Sequence, residues 1–158
     1  MSKCKRPDWD EYFIDIANLV ATRSNCESRK VGAVITVDNQ IISTGYNGAP
    51  KGLHHCVDNG GCLRKLNKIE SGTRQEVCRA VHAEQNAIIS AAVKGVSIKG
   101  GTIYTNTYPC SICARMLINA ELKRIVYDSD YSDKLAKELL DESGIEVVKF
   151  GKNKVDKI

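Results

Sequence analysis

His82-Ala83-Glu84 and, further along, Pro109-Cys110-Ser111-Ile112-Cys113 place three metal-binding side chains in two segments that each read as the beginning of a helix. Any fold in which these residues act together has to bring two helix starts to one place. Cys110 and Cys113 are three apart at a helix start, so their sulfurs share a face, and the positive end of the helix favours thiolates over thiols. His82 supplies a third ligand. Three protein ligands leave the fourth tetrahedral position of a zinc ion open to water, which separates a catalytic site from a closed structural one. Zinc lowers the pKa of such a water toward about 7. Glu84 stands two residues beyond His82, about 200° around an ideal helix, so both reach one site only where that site sits over the helix N-terminus. From there its carboxylate can carry a proton between the water and a substrate nitrogen, as a shuttle rather than a ligand. Two plainer readings are a structural zinc knuckle and a Cys-x-x-Cys redox pair with the histidine elsewhere. A structural site ordinarily needs a fourth ligand and would leave Glu84 without a task.

The chain around these segments reads as α/β. Its 158 residues fit a single domain over residues 1–150, with 47–80 as a long inserted loop and 151–158 as a basic tail. After Pro7, residues Trp9, Phe13, Ile16, Ala17 and Val20 recur at helical spacing and predict a helix from Asp8 to about Arg23. Val31–Val37 and Gln40–Tyr46 are β-branched runs joined by Asp38-Asn39, which has hairpin-turn chemistry. Residues 47–80 are glycine-rich and aperiodic apart from a short turn near Leu63–Ile69; so long a loop needs a function or a metal to order it. Then helices and strands alternate: helix from His82 to about Lys94, strand Thr102–Asn106, helix from Cys110 to about Ala120, strand Lys123–Asp128, helix Asp133–Ser143, strand Ile145–Phe150. Strands joined through helices imply right-handed parallel crossovers, hence a five-stranded mixed sheet sandwiched by helices on both faces.

A 42% hydrophobic, 27% charged chain with three prolines is not of the disordered or collagenous class. No apolar run approaches the roughly 18 residues that span a bilayer, and MSKCKRPDWDEY lacks the apolar core of a signal peptide. The expectation is a cytoplasmic protein without a membrane or nucleic-acid partner, because a net charge of +4 suits an anionic small substrate but is modest for a non-specific nucleic-acid binder. Seven cysteines in a reducing compartment read as metal ligands or free thiols rather than disulfides, and the odd count leaves one over in any fully paired scheme.

His-x-Glu followed by Pro-Cys-x-x-Cys is the signature of zinc-dependent nucleobase deaminases, and the chain resembles the cytidine deaminase superfamily, within it the deoxycytidylate (dCMP) deaminases. The resemblance rests on Leu19-Val-Ala-Thr-Arg-Ser24, Arg29-Lys-Val-Gly-Ala-Val34, Thr44-Gly-Tyr-Asn-Gly-Ala-Pro50, His82-Ala-Glu-Gln-Asn-Ala-Ile88, Pro109-Cys-Ser-Ile-Cys-Ala114 and Gly144-Ile-Glu-Val147. It implies hydrolysis of dCMP to dUMP and ammonia for thymidylate synthesis, with His82, Cys110 and Cys113 on a catalytic zinc and Glu84 as the proton carrier. It places Asn47 against the sugar or base and Ala83 in the substrate site, and makes Ser28, Arg29 and Tyr131 candidates for the 5′-phosphate. A solvated arginine, a turn asparagine and a surface tyrosine are the plain alternatives. Some relatives carry a second, structural zinc, and the placement of Cys26 and Cys56 resembles theirs; with Cys62 and Cys78 they would make a four-thiolate site, His54 and His55 in reserve and Cys4 idle. Buried free thiols are the alternative there. The resemblance further implies a homo-oligomer, with a hexamer favoured, activated by dCTP and inhibited by dTTP. Gly45–Gly52 is a place for an effector loop or merely a strand-to-loop turn. Deaminases acting on dCTP as well as dCMP, on adenosine in tRNA, on free cytidine, or on pterin or riboflavin precursors share the zinc motif. A non-catalytic zinc-binding module is the reading from a different class.

Overall fold

The structure, a computed structural model, describes residues 6–151, so Cys4 and all but the first residue of the basic tail lie outside the described residues. Helix α1 (Trp9–Ala21) starts where the Asp8 carboxylate accepts the Glu11 N–H at 2.8 Å. Its buried residues are Phe13, Ile14, Ala17 and Ala21, while Trp9 is 46% exposed, so the stripe is turned from the predicted one. The cause is the strand beneath: a β-carbon at Gly32 would lie 2.1 Å from the Ala17 carbonyl oxygen and 2.5 Å from the Ala21 nitrogen. The helix backbone rests on that glycine, and the face centred on Ala17 and Ala21 goes inward.

Strands β1 (Gly32–Val37) and β2 (Gln40–Tyr46) form the expected hairpin, with Asp38 and Asn39 both at positive φ (49° and 59°), the conformation whose twist matches the flanking strands. After the long loop come α3 (Ala83–Lys94), β3 (Thr102–Thr107), α4 (Ser111–Asn119), β4 (Arg124–Ser129), α5 (Lys134–Ser143) and β5 (Glu146–Lys149). The five strands lie in the order β2-β1-β3-β4-β5; β1 is antiparallel to both neighbours, and β3, β4 and β5 are parallel. This is the mixed sheet expected from the βα alternation. Strand period two divides the core. Val34, Tyr104 and Val126 pack under α1, whereas Ala33, Ile35, Ile103 and Ile125 meet alanines and leucines of α3, α4 and α5 on the other face. Central strands covered on both sides read as continuous apolar runs.

The segment 47–80 leaves and rejoins the sheet at one point, where Gly48 and Val81 exchange main-chain hydrogen bonds at 3.1 and 2.8 Å. Within it, the turn predicted near Leu63–Ile69 is a short helix, α2 (Leu63–Leu66), and two single 3₁₀ turns occupy Val57–Asn59 and Gln75–Val77. Among the described residues no helix is long and apolar enough to cross a membrane.

A bidentate ion pair ties α1 to the sheet: Arg124 at the start of β4 donates to both oxygens of Asp10, at 2.6 and 2.8 Å. The Arg124 hydrogen bonds hold the Asp10 carboxyl below its ordinary 3.8, against the opposing effect of burial. A depressed carboxyl contributes stability that is complete above the unfolded value and lost as pH falls through the folded one. Asp10→Asn is therefore expected to cost about 1–2 kcal/mol at pH 7. That gap from the wild type should close as pH falls below 3.8; urea titrations across the acid range check both.

Candidate metal centre and pocket

His82 and Cys110 are the residues immediately before α3 and α4, in extended conformation (φ −72°, ψ 159° and φ −74°, ψ 168°), and Cys113 is the third residue of α4. Extended backbone at His82 removes the 200° problem posed by an ideal helix: the imidazole folds back over the end of α3, and Glu84, second in the helix, rises from the same end. His82 Nδ1 lies 3.4 Å from each of the Cys110 and Cys113 sulfurs. The three donor atoms all fall within 4.8 Å of one another, the one such group among the described residues. Local chemistry holds each start. The His82 N–H donates to Gln85 Oε1 at 2.8 Å, half of a capping box, and α4 follows β3 through Tyr108 and the buried Pro109.

Glu84 is 4% exposed, and its Oε2 accepts from the Cys113 thiol at 3.6 Å. Burial pushes its carboxyl up. The Cys113 side chain, and then the His82 ring, hold the Cys110 thiol down to about 4 in spite of burial. Burial works against a charged His82, yet Cys110 and Cys78 outweigh it and raise the ring to about 10. Two thiols and an imidazole are a donor set for zinc, and these residues fit it.

A cavity of about 290 Å³ opens from this centre and is lined by His82, Ala83, Glu84 and Cys110 together with Ser28, Arg29, Asn47 and Tyr131. The sequence-predicted catalytic and substrate residues therefore share one cavity. Arg29 Nη1 donates to Thr107 Oγ1 at 3.3 Å and to the Asp130 carbonyl at 3.4 Å, and the guanidinium lies 5.5 Å from the centre of the Tyr131 ring. It is exposed but braced by these contacts. The Tyr131 hydroxyl accepts from the Gly72 N–H at 3.0 Å and from the Gln75 side-chain amide, so it fastens the inserted loop against the cavity. Arg64 and Lys65, on α2, also line it and were missed, because a basic pair inside an aperiodic loop has no spacing to mark which way it faces.

Asn47 is held by the main chain: its side chain accepts from the Val31 N–H and donates to the Arg29 carbonyl, both at 2.8 Å. A second asparagine does the same on the other edge, Asn106 accepting from the Gly32 N–H and donating to the Lys30 carbonyl at 3.1 Å each. Residues 29–32 are thus paired to side-chain amides where the strand ladders stop, because an amide carries both a donor and an acceptor. Sequence reading gave Asn106 no role; an Asn in a strand carries no motif.

The loop cysteines are arranged less tightly. Cys26, Cys62 and Cys78 line the cavity, and Cys56 is pushed up by burial and then by the neighbouring Cys62, Cys78 and Cys26 thiols. No three of them approach one another as the His82 group does. The His55 N–H donates to Asp58 within the loop.

Residues 7–129 match the cytidine and deoxycytidylate deaminase zinc-binding region. The chain belongs to the cytidine and deoxycytidylate deaminase family. It is 39% identical over 130 residues to deoxycytidylate deaminase of Mycobacterium phage D29, covering 79% of this chain and 98% of the phage protein. To deoxycytidylate deaminase of Schizosaccharomyces pombe it is 36% identical over 146 residues, or 92% of the chain. The chain spans only about half the length of its two yeast relatives, 45% and 47%. The crystal structure of dCMP deaminase from the cyanophage S-TIM5 in complex with dCMP and dUMP superposes with a TM-score of 0.74 at 30% identity, covering 92% of this chain and 98% of that one.

In this deaminase fold Gly45 is a docking point. A β-carbon there would lie 2.3 Å from the Ala83 carbonyl oxygen and 2.4 Å from the Ala87 nitrogen, both backbone atoms of the helix that carries Glu84. Gly45→Ala is expected to push α3 off β2, costing about 1–3 kcal/mol. Chemical denaturation and zinc content per chain check it, both expected to fall.

Proposed function

We propose that the chain hydrolyses dCMP to dUMP and ammonia, supplying dUMP for dTTP synthesis. The observation that carries this reading is that one cavity contains both the buried Glu84 beside His82, Cys110 and Cys113, and a cationic wall of Arg29, Arg64 and Lys65. The first suits an amidine carbon, the second a monophosphate. The names of the phage and yeast relatives, and the nucleotides in the cyanophage complex, support the same substrate.

Zinc held by His82, Cys110 and Cys113 would supply a nucleophilic water at neutral pH. Glu84 takes one proton of the attacking water and passes it to N3 of the cytosine ring, then carries the other to the amino group. As the C4–N4 bond breaks, ammonia leaves and the oxygen stays on C4, so dCMP and water become dUMP and ammonia. Asn47 and Ala83 line the base and sugar region, while Arg29, seated on Tyr131, with Ser28 beside it, receives the 5′-phosphate.

The finer features belong to the same proposal. A homo-oligomer, with a hexamer favoured, is supported by apolar residues left on the outside of α3 and just after it, Ile89, Val93 and Val96, of which Val93 is 83% exposed. Activation by dCTP, inhibition by dTTP and a cytoplasmic setting rest on family resemblance. A second, structural zinc at Cys26, Cys56, Cys62 and Cys78 rests on family resemblance and would require these thiols to draw together.

Glu84→Gln is expected to retain fold and metal while turnover falls about 10²–10⁴-fold. Undiminished turnover would remove Glu84 from the mechanism. Ammonia release from dCMP, CMP, deoxycytidine, dCTP and adenosine, each with and without added dCTP or dTTP, is expected to occur with dCMP and to respond to both triphosphates. Activity confined to an unphosphorylated nucleoside would place the chain elsewhere in the superfamily, and metal analysis of the same samples distinguishes one zinc per chain from two.

A further inference from the structure

We infer that Asp133, which lies outside every motif above, is a positioning residue of the metal centre, holding the Cys110–Cys113 turn through the main chain of Ser111. This inference rests on the reading of His82, Cys110 and Cys113 as metal ligands. Ser111 is the first residue of α4 and stands between the two cysteines in sequence. Its N–H, like the others of a first helical turn, has no partner inside the helix. Asp133 Oδ2 accepts it at 2.8 Å. The other oxygen, Oδ1, accepts the Ala136 N–H at 3.0 Å, so the same carboxylate caps α5. One side chain therefore spans two helix N-termini, and the two amides leave it little freedom to turn.

The far end of this link is firm. Ala136 and Leu140 of α5 are 0% and 1% exposed and belong to the core on the metal-centre face of the sheet. A mechanical chain runs from that core through α5 to Asp133, and from Asp133 to the Cys110–Ser111 peptide at the start of the ligand turn. Removing a group that orients metal ligands from outside typically costs about 10–100-fold in metal affinity or activity. The same short connection carries Tyr131, which fastens the inserted loop at Gly72 and Gln75. Residues 131–133 thus hold the metal turn with one side chain and the cavity wall with another.

The two functions of Asp133 can be separated. Asparagine and serine are as good as aspartate at a helix N-cap. Asparagine offers one oxygen and an amide group that cannot accept from Ser111, and serine has a single oxygen, so each serves the α5 cap but not both amides. In the full chain, zinc affinity is measured by competition with a chromophoric chelator, and the thiolate-to-cobalt band is recorded after cobalt substitution. Asp133→Asn and Asp133→Ser are expected to weaken zinc binding about 10–100-fold and to alter the cobalt band, with an unfolding midpoint after chelator treatment close to that of the wild type. Asp8→Ala, which removes the corresponding cap from α1 on the opposite face, is expected to lower the midpoint and leave zinc affinity unchanged. Wild-type zinc affinity in both Asp133 variants overturns the inference, as does an equal loss in Asp8→Ala, which would mark the effect as general destabilisation. A wild-type chain that takes up neither metal overturns the ligand reading itself, a result visible before any variant is made.

Discussion

Two helices begin at the same place, and what this chain can do depends on how that meeting is held. Bringing a carboxyl, two thiols and an imidazole together away from water is costly unless something offsets the loss of hydration. The offset comes from the positive ends of α3 and α4 and from mutual hydrogen bonds, His82 Nδ1 between two sulfurs and the Cys113 thiol on Glu84. Each helix start is also held from outside. The first is pressed onto β2, where Gly45 has no side chain to keep it away, and the second is tied to α5 by Asp133.

The sheet turns this meeting into a site with a substrate-sized space beside it. Beyond Gly32 and Tyr46 the β1–β2 ladder ends, and beyond Thr105 the β1–β3 rungs end. There the side-chain amides of Asn47 and Asn106 satisfy both edges of residues 29–32, alongside one main-chain bond from the Asn47 N–H to the Val31 carbonyl. The residues so held include Arg29, whose guanidinium reaches Thr107 and the Tyr131 ring. The inserted loop closes the remaining side because Gly48 and Val81 pair at its base and Tyr131 fastens it near its far end. A long aperiodic segment is thereby ordered by a few bonds at chosen points rather than by a core of its own.

Legibility in the sequence followed the range of the interactions. The hairpin at Asp38-Asn39 and the βα alternation after His82 are local, so spacing and residue type were enough to place them. The grouping of His82, Cys110 and Cys113 near Glu84 was legible because those residue types at that spacing mark a candidate metal centre. The rotation of α1 toward Ile14 and Ala21, by contrast, depends on a glycine in another element, and periodicity within the helix had pointed to Trp9. Gly45 read equally well as the edge of an effector loop or as a turn, and its role is steric contact with a helix about forty residues away in the chain. The loop cysteines are grouped, but the tight donor set is the one formed by His82, Cys110 and Cys113.

By itself the sequence determined the elements, the order in which they alternate, and the identities of the side chains able to hold a metal and move a proton. These depend on backbone preferences and on contacts within a few residues, which composition and period record. Only the tertiary structure decided that Asn106 and Asp133 matter, that Arg64 and Lys65 line the cavity, and that the exposed Arg29 is braced by Thr107, Asp130 and Tyr131. Each of those facts is a contact between elements far apart in the chain, made through a single side chain with no repeating neighbour, and a solitary polar residue carries no period from which its partner can be read.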